Sequence, residues 1–135
     1  MRILIAVLLT TLGALTHAAE VLPIDTLAEQ LKAGSAPPII DVRTTAEYQR
    51  DHLPGARLIP HTEIGNRLQE LNISPEQPVV LYCKSGRRAN LAATTLEHAG
   101  FSNVQILDGS IDAWRAAGQA LVQPSSAPGA QHSSE

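Results

Sequence analysis

The segment YCKSGRRANLAATTL, from Tyr82 to Leu96, holds the single cysteine of the chain with a lysine, a serine, a glycine and two arginines directly behind it. A thiol with cations crowded behind it can react as a thiolate. Positive charge and a helix amino terminus both favour ionised sulfur over the free thiol, whose ordinary pKa is about 8.5. Gly86 tolerates positive φ, so successive amides of the loop can turn toward one point and form a nest for a charged sulfur or an oxyanion. Ser85 adds a hydroxyl donor, and Lys84, Arg87 and Arg88 make this loop positive in a chain of net charge −3. The competing fate of Cys83 is that of a small buried hydrophobe at a strand end, common for free cysteines. It has no partner for an internal disulfide.

Spacing separates the chemistries that use a cysteine in such a cradle. Cysteine phosphatases place five residues and then an arginine after the nucleophile, a loop wide enough for a tetrahedral phosphate. That arginine would fall at Ala89, and this chain has its arginines one and two positions earlier. The shorter loop suits something smaller, such as the outer sulfur of a persulfide, and disfavours a phosphatase or an arsenate-reducing enzyme. A thiol–disulfide exchanger would need a resolving thiol, which the sequence lacks.

The elements that position this loop follow from apolar patterning. PIIDV and VVLYC are short continuous apolar runs of the type buried on both faces of a parallel sheet, and FSNVQILDG reads as a further strand. A small strand is expected around Arg57 to Ile59, after the turn HLPGA. Between them lie helical segments. VLPIDTLAEQLKAG reads as a short extended piece and then a helix capped by Asp25 or Thr26, with Glu29 completing a capping box from Thr26, Leu27 and Leu31 facing inward, and Gly34 as terminator. Thr44 and Glu47 predict a capping box for TTAEYQR, and HTEIGNRLQEL places Ile64, Leu68 and Leu71 at helical spacing around Gly65. KSGRR is expected as loop, ANLAATTLEHAG as a helix ended by Gly100, and SIDAWRAAG as a last short helix. Alternating strands and helices imply a parallel sheet covered on both sides. Cys83 then falls at the carboxyl end of a strand, where such sheets place their crevice.

The first residues, MRILIAVLLTTLGALTHAAE, combine Arg2, an apolar run and small residues, the pattern of a secretory signal peptide. The run is short for a membrane span, which needs about 20 apolar residues. Thr16 and Ala18 fit the small-residue positions before a cut after Ala18, so residues 1–18 are expected to be the signal and the protein to be periplasmic or secreted, with no stable membrane association after cleavage. Losing Arg2 makes the chain one charge more negative. With 3% aromatic residues and no basic stripe, nothing points to nucleic acid. The histidines are not spaced as metal ligands, so no metal or cofactor is expected. The domain is expected over 19–122, and the Pro-, Ser- and Ala-rich segment 123–135 reads as a disordered tail.

Taken together, CKSGRRA, DVRTTAEYQRDHLPGARLIP (41–60), VVLYC and LDGSIDAWRAAG (107–118) resemble, in order and spacing, the single-domain rhodaneses, a family of sulfurtransferases. The resemblance spans about residues 22–122. It implies an α/β fold, a three-layer rhodanese-like domain with a five-stranded, mainly parallel central sheet flanked by helices. It also implies that Cys83 takes a sulfane sulfur from thiosulfate or a similar anion, holds it as a persulfide on the amides of residues 84–88, and passes it to cyanide or a thiol. Lys84, Ser85, Gly86, Arg87 and Arg88 would bind the donor, Lys84 and Arg87 by attraction, and Arg88 either by orienting substrate or by pairing with an acid beneath the loop. The same loop would serve a non-catalytic persulfide carrier for one partner. Asp41 and Arg43 read as scaffold, His52 as a satisfied structural histidine, and Trp114 as a core anchor. The chain departs from the family at Ser110, where a second glycine is frequent, and at Asp51, where glycine is common; both are expected to lie away from the loop.

Overall fold

Ile39–Asp41 (β2) and Val79–Tyr82 (β4) are buried at every residue, as strands covered on both faces must be. In the computed structural model, which describes residues 18–124, they join Glu20–Leu22 (β1), Arg57–Leu58 (β3) and Val104–Leu107 (β5) in one sheet of order β1-β5-β4-β2-β3. Every pairing is parallel. Four helices, Ile24–Ala33 (α1), Thr45–Arg50 (α2), Arg87–His98 (α3) and Ser110–Ala116 (α4), accompany it.

The period of two along each strand divides the core. Val79, Leu81 and Cys83 face the layer of α3, with Ala89, Ala92 and Leu96, while Val80 and Tyr82 face Leu27 of α1 and Ile111 and Trp114 of α4. Helix α3 uses alanines on this face, so its backbone can approach the sheet closely. From β2 the chain steps outward to β3, and from β4 it steps the other way to β5. The crevice of such a sheet opens where those directions diverge, beyond the carboxyl ends of β2 and β4. Cys83 is the first residue past β4, and Val42 and Arg43 are the first past β2.

Several local expectations change. Helix α1 begins at Ile24 behind Pro23, without a side-chain cap, so the Thr26–Glu29 box does not form. Proline fixes the entry geometry, and its carbonyl accepts from Leu27 N–H at 3.2 Å, starting the ladder ahead of Thr26. Gly34 ends the helix at φ 70°, as expected. The segment HTEIGNRLQEL forms two 3-10 turns, Ile64–Asn66 and Leu68–Leu71, rather than an α-helix. Ile64 and Leu71 still bury. A Cβ at Gly65 would stand 3.3 Å from Thr95 Cγ2 of α3, and Arg57 donates to the carbonyls of Glu70 and Leu71 at 2.8 Å each, so tertiary contacts replace the helical ladder. The capping box at Thr44 and Glu47 is present.

Trp114 is 2% exposed and donates through Nε1 to Ala120 O, closing α4 on the sheet. His52 stacks on Tyr48 with ring centroids 3.8 Å apart, and its Nδ1 lies 2.9 Å from Tyr48 O, a structural role. Residues 1–17 of the expected signal and residues 125–135 of the expected tail lie outside the described residues. Ala19 packs against the core. Among the described residues no helix is long and apolar enough to cross a membrane.

Candidate active site

The loop between β4 and α3 is only four residues, Cys83 to Gly86, because α3 begins at Arg87. Arg87 and Arg88, expected in the loop, instead form the first turn of the helix. Gly86 makes this possible as the N-cap at φ 127°, a conformation closed to most side chains. Its N–H donates to Cys83 Sγ at 3.0 Å. Of the amides of residues 84–88 expected to form a cradle, it is that of Gly86, at the positive end of α3, that bonds the sulfur.

Cys83 is 1% exposed, and its small accessible part faces a cleft of about 430 Å³ lined also by His61, Lys84, Ser85, Arg87, Arg88 and Leu91. The cations differ in how free they are. Lys84, at the surface, pairs with Asp112 at 2.7 Å. Arg88 forms a two-pronged pair with Glu47, at 2.7 and 3.0 Å, so the acid beneath the loop is Glu47. Arg87 is exposed and has no ion-pair partner among the described residues. It is the cation most available to an incoming anion.

Two cleft residues, His61 and Leu91, and one buried neighbour of the sulfur, Ser110, escaped the sequence. His61 reaches the site because its N–H binds Val42 O at the end of β2, at 2.9 Å. Leu91 is one helical turn past Arg87 and 55% exposed at the rim. Ser110, expected away from the loop, is fully buried against Cys83: its Oγ accepts from Cys83 N–H at 3.2 Å and lies 3.9 Å from Sγ. Only the first two had any local signal, Leu91 by helical spacing and His61 by lying three residues past the end of β3. The 27-position separation of Cys83 and Ser110 carries no periodicity that would pair them.

Beneath the loop sits the scaffold expected of Asp41 and Arg43. Asp41 is fully buried and accepts from Arg43 N, Nε and Nη2 and from Tyr82 OH, at 2.7 to 3.1 Å. Burial opposes the charge on Arg43, but the hydrogen bonds and charge of Asp41 outweigh it and raise the guanidinium's pKa. Burial and then Asp41 likewise push the Tyr82 phenol upward. Asp51, the second family departure, joins the periphery of this network through Arg43 and Arg115 and does not reach the sulfur.

Glu47 couples the site to acid. The Arg88 hydrogen bonds, opposed by partial burial and aided by Thr44, hold its pKa down to about 2, against 4.5 for a free glutamate. A carboxyl whose pKa is depressed on folding contributes stability above its unfolded pKa and loses it as pH falls toward the folded value. Unfolding free energy should therefore drop by about 2 kcal/mol between pH 5 and pH 2 from this group. Glu47→Gln should lack that component in denaturant titrations at the two pH values; an identical slope in both proteins would refute the assignment.

A cysteine on a short amide loop at the switch point of a five-stranded parallel sheet defines a class of protein, and comparison with known proteins agrees. Residues 24–117 match the model for the rhodanese-like domain. The chain belongs to the rhodanese-like domain family. It is 42% identical over 66 residues to YrkF of Bacillus subtilis, a protein named as a sulfur carrier, covering 49% of this chain and 35% of that one. It is 33% identical to the thiosulfate sulfurtransferase GlpE of Pseudoalteromonas translucida, covering 58% of this chain and 73% of GlpE. The crystal structure of a thiosulfate sulfurtransferase from Pseudomonas aeruginosa superposes with a TM-score of 0.71 at 29% identity, over 78% of this chain and 20% of that one. The chain thus spans about a third of YrkF but most of GlpE.

Proposed function

We propose that the protein is a thiosulfate-type sulfurtransferase acting through a persulfide on Cys83. The observation that carries this reading is the Cys83 sulfur held by the Gly86 amide in a four-residue loop, at a cleft lined by Lys84, Arg87 and Arg88. In the first half-reaction the thiolate attacks the outer sulfur of thiosulfate. A new S–S bond forms, the donor's S–S bond breaks, and its electron pair leaves on sulfite. The product is an enzyme persulfide anion. In the second, cyanide or a thiolate attacks the outer sulfur, and the electron pair of the S–S bond returns to Cys83 as thiolate. Written with the thiolate as nucleophile, neither half-reaction transfers a proton and no general base takes part.

In this scheme the donor's dianion is drawn by Arg87, with Lys84 and Ser85 at the rim, while Arg88 is committed to Glu47 and keeps the loop closed. Binding of an anion of this size leaves room in the cleft for a larger acceptor, with Leu91 offering apolar contact. Intact mass after incubation with thiosulfate tests the reading: a gain of one sulfur, removed by cyanide with formation of thiocyanate, is expected. Arg87→Ala should raise KM for thiosulfate about 3- to 10-fold, with kcat nearly unchanged and less dependence on ionic strength. An equal loss in kcat would give Arg87 a role in the chemical step instead.

The kinship with YrkF favours a second reading, a persulfide carrier that serves one partner. Such a protein would load from a partner's persulfide and turn over thiosulfate and cyanide slowly. The segment 1–18 supports an exported protein working in the periplasm or outside the cell, with the mature chain starting at Ala19. Amino-terminal sequencing of the protein recovered from its native host checks this, and a cytosolic form retaining residues 1–18 would overturn it.

A further inference from the structure

We propose that Ser110 is a positioning residue for the reactive sulfur, its hydroxyl joining the Gly86 amide in holding Cys83 Sγ; this rests on the reading of Cys83 as the reactive thiol. Ser110 adopts φ 56°, in the left-handed region that a side chain other than that of glycine, asparagine or aspartate seldom occupies. It is fully buried, directly after Gly109, whose own Cβ would stand 2.6 Å from Ala113 Cβ. A glycine at 110 would meet the backbone requirement without strain. What serine adds is a hydroxyl inside the fold, and that hydroxyl has a specific place.

Its oxygen accepts from the N–H of Cys83 at 3.2 Å, which occupies a lone pair and leaves the hydroxyl proton to find an acceptor. Sγ is 3.9 Å away, within reach of an O–H···S contact. The position is held rather than incidental. Ile111 N–H binds Cys83 O and Asp112 N–H binds Lys84 O, each at 3.1 Å, so the first turn of α4 is stitched to the start of the loop. Sulfur charge is thereby met by two neutral donors, the Gly86 amide at 3.0 Å and the Ser110 hydroxyl, inside a ring of charged or titratable groups: Lys84 with Asp112, Arg87, Arg88 with Glu47, and His61. Donors fixed before the reaction stabilise an anionic sulfur without reorganisation. The persulfide's inner sulfur would keep the same two neighbours.

Ser110→Ala and Ser110→Gly separate this role from a structural one. Both remove the hydroxyl, but only glycine relieves the positive φ, so the glycine variant should melt higher than the alanine variant. The rate of Cys83 alkylation by iodoacetamide at neutral pH, with Cys83→Ser as blank, should fall about fivefold in both, the scale of one ordinary net hydrogen bond. In the sulfur-transfer assay kcat should fall by a similar factor with KM for thiosulfate little changed. Wild-type alkylation rates in the glycine variant, or rates that follow melting temperature across the pair, would overturn the proposal. Alkylation does not depend on sulfur transfer: slowed alkylation in a protein that takes no sulfur from thiosulfate would leave Ser110's role standing and remove thiosulfate as donor.

Discussion

Cys83→Ser should take up no sulfur from thiosulfate and should form thiocyanate at least about 10³-fold more slowly than the wild type, because it removes the atom on which the covalent intermediate is built. Serine is nearly the shape of cysteine, and its hydroxyl can still accept from Gly86 N–H, so the loop should keep its geometry. The loss is chemical. A serine hydroxyl stays protonated where a thiol ionises, and oxygen attacks a sulfane sulfur poorly. Melting temperature should therefore change little while transfer disappears. Cyanide-labile sulfur in the serine variant would require a noncovalent route and would sink the persulfide mechanism. If the wild type itself fails to load from thiosulfate but loads from a protein persulfide, the carrier reading takes precedence, and Cys83→Ser should still abolish that loading.

The second large effect concerns stability. Asp41→Ala should destabilise the fold by about 3–5 kcal/mol, the usual cost of leaving one member of a buried ion pair without its partner. Arg43 is 3% exposed, and three of its nitrogens point at Asp41. Without the carboxylate the guanidinium keeps Asp51, through its carbonyl at 2.6 Å and a carboxylate oxygen at 3.7 Å, and the face of the Tyr82 ring, 5.6 Å from its centroid. The Tyr82 hydroxyl also loses its acceptor and retains only the N–H of Leu53 as a donor to it. Against a total stability of about 5–15 kcal/mol, such a loss should lower the melting temperature by roughly 15 °C or more. The double variant Asp41→Ala with Arg43→Met should recover much of it, since the cost lies in the uncompensated guanidinium. A loss below about 1 kcal/mol in Asp41→Ala, or no recovery in the double variant, would show that the pair is not the keystone between the ends of β2 and β4.

Much of this organisation is legible in residue order alone. The strands at β2 and β4 announce themselves as unbroken apolar runs because both faces of a central parallel strand are covered, and the box at Thr44 and Glu47 is a local contact three residues apart. The helix expected at 61–71 fails for a nonlocal reason: the side of Gly65 is taken by Thr95, and the last carbonyls by Arg57. Arg87 and Arg88 likewise join α3 only because Gly86 can cap it at positive φ.

By itself, the sequence determined the candidate thiol, the cluster of cations directly behind it, the alternation of strands and helices, and membership of the fold family, since each is written in neighbouring residues or in motif order. Tertiary structure alone decided what each cation does and what touches the sulfur. Arg88 is spent on Glu47 from 41 positions away, Arg87 is left exposed with no ion-pair partner among the described residues, and Ser110 is brought from 27 positions away to lie against Cys83. The physical reason is that hydrogen bonds and ion pairs depend on distance in space, which a parallel sheet sets by strand order rather than by sequence separation. Two residues at the same chemical distance from Cys83 along the chain can therefore stand in its cleft or behind its wall.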